Sequence, residues 1–401
     1  MNMLFVLSLG FDRPGPSVHL LTDLMEALAK RGHTITVLQQ NTGGPGEELP
    51  PVLRNTGRVR ARTIPMAAAA KDNFAARYLA RRRYAHLAGR RMEGKFDLVY
   101  IHSCQNLNDF VRLARRRCPG AKVVVNVQDI FPQNAAAIGL MGPGNPLYRF
   151  LYNAQARAYR GADAIITLSP DMKRTLIQAG AAGNKVAVIP PWTYSDAIGP
   201  VPQEENAFLE RYPEVRDYFR VVYAGNVGQM QNVDVLLEAA RQLGGEERIL
   251  LMVVGGGVRA GALEERARDV PNLRFYPMQP SEMAAHVYSM AHVNLITLAK
   301  GVTATAFPSK TAICCAVGRP ILAAVDPASQ YGAMIGRLEG CGVVPPGDGA
   351  ALAGWVRRAC RPGQPALCPD AQALYHKKLS RAGGLAAHIR LLEGLGGGGC
   401  K

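Results

Sequence analysis

Short runs of Val, Ile and Leu recur along the whole chain, and most are followed by a segment with helical periodicity. In the first half the runs are Met3–Leu7, Thr34–Leu38, Leu98–Ile101, Lys122–Val127, Ala164–Leu168 and Val186–Ile189. They are nearly continuous in apolar residues, so each predicts a strand covered on both faces. The covering helices are expected at Ser17–Arg31, Phe74–Met92, Leu107–Arg117, Pro146–Arg160 and Pro170–Gln178. Strand–helix alternation of this kind implies a parallel, doubly wound α/β sheet. The pattern fades between Pro190-Pro191-Trp192 and Gly199–Pro202, then restarts at Phe219–Tyr223. Strands follow at Ile249–Val253, Leu273–Tyr276, Val293–Thr297, Pro320–Ala324 and Gly342–Val344. Their helices are expected at Val233–Gln242, Leu263–Arg268, Ser281–Met290, Ser309–Val317 and Ala350–Cys360. A last helical stretch, Ala371–Leu395, is interrupted at Gly383–Gly384. The expectation is two doubly wound Rossmann-like domains, 1–195 and 203–370, facing across a cleft lined by the carboxyl ends of their strands.

Composition narrows the partners. A chain of 401 residues is long for one core, and 48% apolar with 19% charged residues excludes a disordered chain. Lys and Arg number 47 against 31 Asp and Glu, a net charge of +16. That balance favours anionic partners: phosphorylated small molecules, nucleic acid or an anionic membrane surface. Nucleic acid is set aside, because no helix-turn-helix, zinc-finger or ribonucleoprotein motif accompanies the charge. The eight cysteines form no C-x-x-C pair and no zinc spacing, and are read as reduced thiols of a cytoplasmic protein. The apolar run at the start is a buried strand rather than a signal peptide, and no stretch reaches the ~18 apolar residues of a spanning helix. The segment Phe74–Lys95 carries seven basic residues against Glu93, with Phe74, Tyr78, Leu79, Leu87 and Met92 interleaved. It reads either as an interfacial membrane helix or as a solvated charged face.

Candidate chemistry lies at strand ends. Gly15, in the loop after the first strand, would let backbone N–H groups approach a ligand, or simply form a βα turn. His102 ends the strand Leu98–Ile101 and Asp129 follows Lys122–Val127; a structural histidine and an Asx turn before Pro132 are the plainer readings. In the second half, Val221-Val222-Tyr223-Ala224-Gly225-Asn226-Val227-Gly228 runs from a strand into a glycine turn able to offer N–H groups to a pyrophosphate. Asn232 is the expected N-cap of the next helix. Gly255, with Gly256 and Gly257, makes a second glycine-rich strand end. The densest signal is Pro308-Ser309-Lys310. With Pro308 at the first helical position, a hydroxyl and an ammonium join the free N–H groups of a first turn as an anion site.

These segments, in this order, resemble the family-4 retaining glycosyltransferases of the GT-B fold, in the branch that builds bacterial O-antigen, capsule and exopolysaccharide. The matching pieces run over nearly the whole chain. They are Leu28–His33, His102, Val127–Pro132, Ala162–Ser169, Ile189–Trp192, Tyr223–Gly228, Pro308–Lys310, Gly318-Arg319-Pro320 and Gly340–Asp348. The resemblance implies transfer of a hexose or acetamido-hexose from a nucleotide-diphosphate donor, expected to be UDP-linked, with retained configuration. It implies no cofactor and no metal. By resemblance the second domain holds the donor, with Gly225, Asn226, Gly228 and Lys310 around the diphosphate. The Met278–Gln279 loop then contacts the base, Gly15 and His102 approach the donor sugar, and Asp129 faces a lipid-linked or saccharide acceptor. The final helix crosses back to the first domain. The implied location is cytoplasmic, peripheral on the inner face of the membrane.

The chain also departs from the family. Two glutamates eight positions apart are common there, and their places here are Thr305 and Ile313. A non-catalytic GT-B subunit of a glycosyltransferase complex, and a sugar-nucleotide epimerase, are therefore carried as alternatives.

Overall fold

The computed structural model describes residues 1–8, 10, 11, 17–41, 43, 49–66, 74–102, 105–196 and 198–396, the side chains of 74–78 excepted. Among the described residues thirteen strands form two parallel sheets. The first contains β1 (Asn2–Val6), β2 (Thr34–Asn41), β3 (Val59–Pro65), β4 (Leu98–His102), β5 (Lys122–Val127), β6 (Ala164–Thr167) and β7 (Val186–Val188), in the spatial order 3-2-1-4-5-6-7. The second contains β8 (Phe219–Asn226), β9 (Ile249–Gly256), β10 (Leu273–Tyr276), β11 (Val293–Thr297), β12 (Ile321–Ala324) and β13 (Gly342–Val344), in the order 10-9-8-11-12-13. Both orders reverse direction beside their first strand, which is the switch point where such sheets open a crevice.

The continuous apolar runs are explained by burial on two sides. In β1, Leu4 and Val6 enter one core while Met3 and Phe5 enter another on the opposite face. In β8, Val222 and Ala224 face one core and Val221 and Tyr223 the other.

The strand absent from the sequence expectation is β3. It is an edge strand pairing only with β2, and Arg60 and Arg62 alternate with its apolar positions. Only Val59 and Ile64 are buried, so its sequence lacks the two-sided apolar signature of the inner strands.

Three local expectations are corrected. Asn232 does not cap a helix: it adopts a left-handed conformation after the 3-10 turn Gln229–Gln231, and the helix begins at Val235. Helix Thr311–Val317 starts after Lys310, so Pro308-Ser309-Lys310 form the preceding turn rather than the first helical turn. The last helical stretch breaks at Ser380, which is extended, and not at Gly383–Gly384.

That break matters for the architecture. Before it, Ala371, Tyr375 and Leu379 pack in the core of the second sheet. After it, helix Arg381–Gly396 lies on the first domain, with Leu392 in the core beside Met3 and Leu28. Glu393 binds Arg31 at 2.8 and 2.9 Å and His33 at 2.8 Å. Arg381 reaches Asp23 at 2.9 Å, and Asp23 also accepts the Trp192 indole N–H at 2.9 Å.

Of the two readings of the basic segment, the structure matches the solvated charged face. In helix Phe74–Arg91, Tyr84, Ala85 and Ala88 are buried, as is Met92 just beyond it, and Leu87 packs against the same core. The Tyr84 hydroxyl donates to the Leu7 carbonyl at 2.7 Å. Its apolar side thus faces the sheet, leaving Arg82, Arg83, Arg90 and Arg91 exposed. An interfacial helix needs its apolar side outward, and among the described side chains only Leu79, 65% exposed, meets that condition.

Candidate active site

The two domains meet along a seam. Asp129 pairs as an isolated antiparallel bridge with Ala306, and the Ile130 N–H donates to the Thr305 carbonyl at 2.8 Å. Thr175 donates to the Ala304 carbonyl at 2.7 Å, and Gln229 to the Ile138 carbonyl at 3.1 Å. Phe307 touches the cores of both domains. The strongest link is Asp171, buried at the start of helix Pro170–Gln178. Its carboxylate accepts the N–H groups of Gln330 and Tyr331, both at 2.9 Å, at the start of helix Gln330–Gly336 in the other domain. A carboxylate on two N–H groups at a helix start is favoured by charge and dipole together. Asp171→Ala removes it, and each N–H left without an acceptor costs on the order of 1–3 kcal/mol until water reaches it. The expected result is a shift toward an open form, seen as a larger radius of gyration in small-angle X-ray scattering. An unchanged radius would show that the seam does not depend on this carboxylate.

Beside the seam, β8 ends in the glycine turn. Gly225 has φ +125°, a conformation that side chains strongly disfavour, and pairs in register with Gly255. A Cβ on Gly255 would lie 2.0 Å from the Gly225 carbonyl oxygen. Gly255 is thus required for close backbone approach of the two strand ends, and no observation presents it to a ligand. Gly228 has an extended φ of −122°. Over it, the amide of exposed Asn226 donates to Gln231 at 3.3 Å, and the Tyr223 hydroxyl donates to the Asn226 carbonyl.

Lys310 points into this turn. Its Nζ sits 3.5 Å from the centroid of the Tyr223 ring and 3.4 Å from where a Cβ on Gly225 would be. The ammonium is shut off from solvent and has no hydrogen-bond partner. Burial pushes its pKa down to about 7 from the ordinary 10.5. The face of Tyr223 offsets part of the cost of the buried charge, but it accepts none of the three ammonium hydrogens in a conventional hydrogen bond. A cation held this way has unused capacity for an anion. Tyr223 is the partner that sequence reasoning missed; the available signal was an aromatic residue two positions before the first glycine of the turn.

The remaining candidates fall in separate places. Asp129 is joined through its bridge to the segment ending in Lys310; its side chain keeps solvent access at the seam, and partial desolvation by the surrounding protein raises its carboxyl pKa. His102 closes β4, with Nδ1 buried and unpartnered and its pKa pushed down to about 4 by burial, so it is neutral at pH 7. It lines a small pocket with Tyr100, Asn126, Gln128, Trp192 and His388, and neither Asp129 nor Lys310 is among the lining residues. Met278, 57% exposed, and Gln279 form the loop after β10, where Gln279 donates to the Pro277 carbonyl. Pro308 is buried and Ser309 exposed in the turn before Lys310. Gly15 lies outside the described residues. Where the family carries carboxylates, Thr305 is buried and bonds the Val302 carbonyl, and Ile313 packs in the core of the second domain.

The fold is shared with known proteins. Residues 15–192 match the model of the glycosyl transferase 4-like domain. The chain is 26% identical over 243 residues to the probable glycosyltransferase WbjE of Pseudomonas aeruginosa, covering 60% of each chain. It is 26% identical over 246 residues to the putative colanic acid biosynthesis glycosyl transferase WcaI of Escherichia coli K12, again covering 60% of each. Each match thus spans about three-fifths of the relative's length. Among solved structures, Anabaena HepE in complex with UDP and glucose superposes with TM-score 0.72 at 15% identity, over 98% of this chain and 100% of HepE. WaaG, a glycosyltransferase involved in lipopolysaccharide biosynthesis, gives 0.66 at 17% identity, over 98% and 100%. With two parallel sheets in Rossmann-like order the chain has the GT-B fold, and its first domain is similar to the glycosyl transferase 4-like domain over residues 15–192.

Proposed function

We propose that the protein is a retaining glycosyltransferase that moves a sugar from a nucleotide-diphosphate donor, of the UDP-hexose or UDP-acetamido-hexose class, to a lipid-linked saccharide in surface polysaccharide synthesis. The observation that carries the reading is the buried, unpartnered ammonium of Lys310 aimed at the Gly225 turn. The relatives support it: WcaI is a putative colanic acid biosynthesis glycosyl transferase, and HepE was crystallised with UDP-glucose.

The chemistry follows from charge. As the bond from the sugar's anomeric carbon to the donor phosphate breaks, negative charge grows on the leaving diphosphate. Lys310 and the backbone N–H groups of the Gly225–Gly228 turn stabilise that charge where it develops. The acceptor oxygen bonds the anomeric carbon from the same face, and its proton passes to an oxygen of the departing phosphate. No protein nucleophile enters. Asp129, on the first-domain side of the seam, orients the acceptor hydroxyl, while neutral His102 faces the donor sugar.

A thermal-shift screen against nucleoside diphosphates and their sugars tests this reading. A bound donor at 100 times its Kd stabilises by about 2.7 kcal/mol, so a clear rise in melting temperature is expected for one base and not for the others. Release of the nucleoside diphosphate in the presence of an acceptor then establishes transfer. The competing reading is a non-catalytic subunit, favoured by Ile313, whose side chain cannot bind ribose hydroxyls. It predicts no shift with any nucleotide. An epimerase would convert the donor sugar with no acceptor present.

A further inference from the structure

The second sheet carries a pocket on the edge away from the crevice. It lies at the amino ends of the strands, against Phe219 at the start of β8 and Cys341 just before β13. Substrates of such sheets bind at the carboxyl ends, so this pocket of about 430 Å³ is not the substrate crevice. Its walls include the stacked rings of Phe219 and His292, the Trp355 indole, and Arg358 and Arg361. Arg357 pairs with Glu246, whereas the exposed Arg358 and Arg361 make no ion pair among the described residues. No Asp or Glu is among the described residues that line the pocket.

Half-buried Cys341 is part of the pocket wall. Its thiol donates to the sulfur of Cys368 across 3.6 Å, and its own sulfur accepts the Ile321 N–H at 3.3 Å. Cys368 is buried just ahead of helix Pro369–Leu374. The hydrogen bond from Cys341, helped by the N–H groups of Ala371 and Asp370, holds the Cys368 thiol below its ordinary range and pushes Cys341 up. The pair thus shares one proton, as a thiol beside a thiolate. A disulfide needs its sulfurs at about 2.05 Å, so the two must approach by roughly 1.5 Å. The chain can supply that shift, because residues 361 to 367 are all exposed and no core fixes the lead-in to Cys368. Cys360 lines the same pocket without a thiol partner among the described residues, and burial pushes its thiol up.

We propose that Cys341 and Cys368 form a thiol–disulfide exchange site, reached through this pocket by low-molecular-weight disulfides that carry carboxylates. Arg358 and Arg361 hold the carboxylates while the Cys341 sulfur attacks one sulfur of the small disulfide. That S–S bond breaks, one half leaves as a thiolate, and the Cys341 proton passes to Cys368. The Cys368 sulfur then attacks the Cys341 sulfur of the mixed disulfide, and the second half leaves as a thiol with that proton. Two electrons have moved from the protein pair to the small disulfide. The product closes a loop from Cys341 to Cys368 that contains β13 and helix Gly349–Ala359. The link restricts the unfolded chain and so stabilises the second domain. The inference goes beyond the glycosyltransferase reading and does not rest on it.

The test is a peptide map of the whole folded protein after incubation with oxidised glutathione and trapping of the remaining thiols by alkylation. A Cys341–Cys368 link is expected, with a melting temperature several degrees higher that a reductant reverses. Cys368→Ser should stop the reaction at a mixed disulfide on Cys341; the map of the parent decides the matter if that variant fails to fold. Cystamine, a cationic disulfide, measures the role of the pocket. The ratio of the rate with oxidised glutathione to the rate with cystamine is expected to fall about tenfold in Arg358→Ala with Arg361→Ala, and to fall likewise when salt is added to the parent. Glutathione held on Cys360 alone, or free thiols at Cys341 and Cys368 after the incubation, overturns the exchange site. A ratio that the arginine variant leaves unchanged overturns the pocket as its entry. The exchange needs no nucleotide, so its failure leaves the glycosyltransferase reading standing.

Discussion

Lys310→Met is expected to lower kcat/KM by about 10²–10³-fold while making the protein more stable at neutral pH. The rate effect follows from removing one preorganised cation from a site where diphosphate charge develops. The stability effect follows from proton linkage. Folding lowers the Lys310 pKa from 10.5 to about 7, so between those values the unfolded chain binds the extra proton and the folded chain does not. Stability therefore rises with pH across that window. Below about pH 7 the folded state carries a buried, unpartnered charge, which costs on the order of a few kcal/mol. Methionine fills a similar volume without that charge, so the variant melts several degrees higher at pH 7 and loses the rise toward pH 10. Thermal melts of both proteins at pH 7 and pH 9.5, run beside turnover, check both effects. A parent-like turnover removes Lys310 from the mechanism. A lower melting temperature would show that the ammonium is satisfied in a way the geometry does not reveal. Binding of a nucleoside diphosphate at pH 8 should also take up protons, because the anion restores the ordinary lysine pKa. Calorimetry in two buffers of different ionisation enthalpy reads that uptake.

Gly255→Ala has the largest expected effect on folding. The new methyl group would sit 2.0 Å from the Gly225 carbonyl oxygen, and the obstacle is backbone, not a side chain that can rotate away. The ends of β8 and β9 must separate, breaking the Gly225–Gly255 register and the Val227 N–H bond to the Gly256 carbonyl at 2.7 Å. A cost above about 3 kcal/mol is expected, with loss of the nucleotide-induced melting shift because the turn proposed to hold the diphosphate is rebuilt. Gly256→Ala is the control: its Cβ meets nothing within 4 Å, so its change should stay below about 1 kcal/mol. If both variants melt alike, the strand ends are more compliant than their register indicates.

The inner strands were legible because their signal is local. Lys122–Val127, Leu273–Tyr276, Val293–Thr297 and Gly342–Val344 are short runs dominated by β-branched, aromatic and other apolar residues, and their observed limits are those expected. Edge strand β3 was not legible, since alternation with arginines looks the same in a loop and on an open sheet edge. The basic helix Phe74–Arg91 was found with two readings open, interfacial or solvated, because composition gives the charge of a helix and not which side meets the sheet.

The sequence by itself determined that this chain forms two parallel α/β domains, and its family resemblance put Gly225 and Lys310 side by side, as the structure does. Hydrophobic continuity and turn residues act over a few positions, and a linear reading can follow them. Only the tertiary structure decided that Lys310 rests on Tyr223, that Asp171 ties one domain to a helix start of the other, and that the chain breaks at Ser380 to return to the first domain. Those contacts join residues tens to hundreds of positions apart. They depend on how two completed domains pack against each other, and no local pattern of residues encodes that.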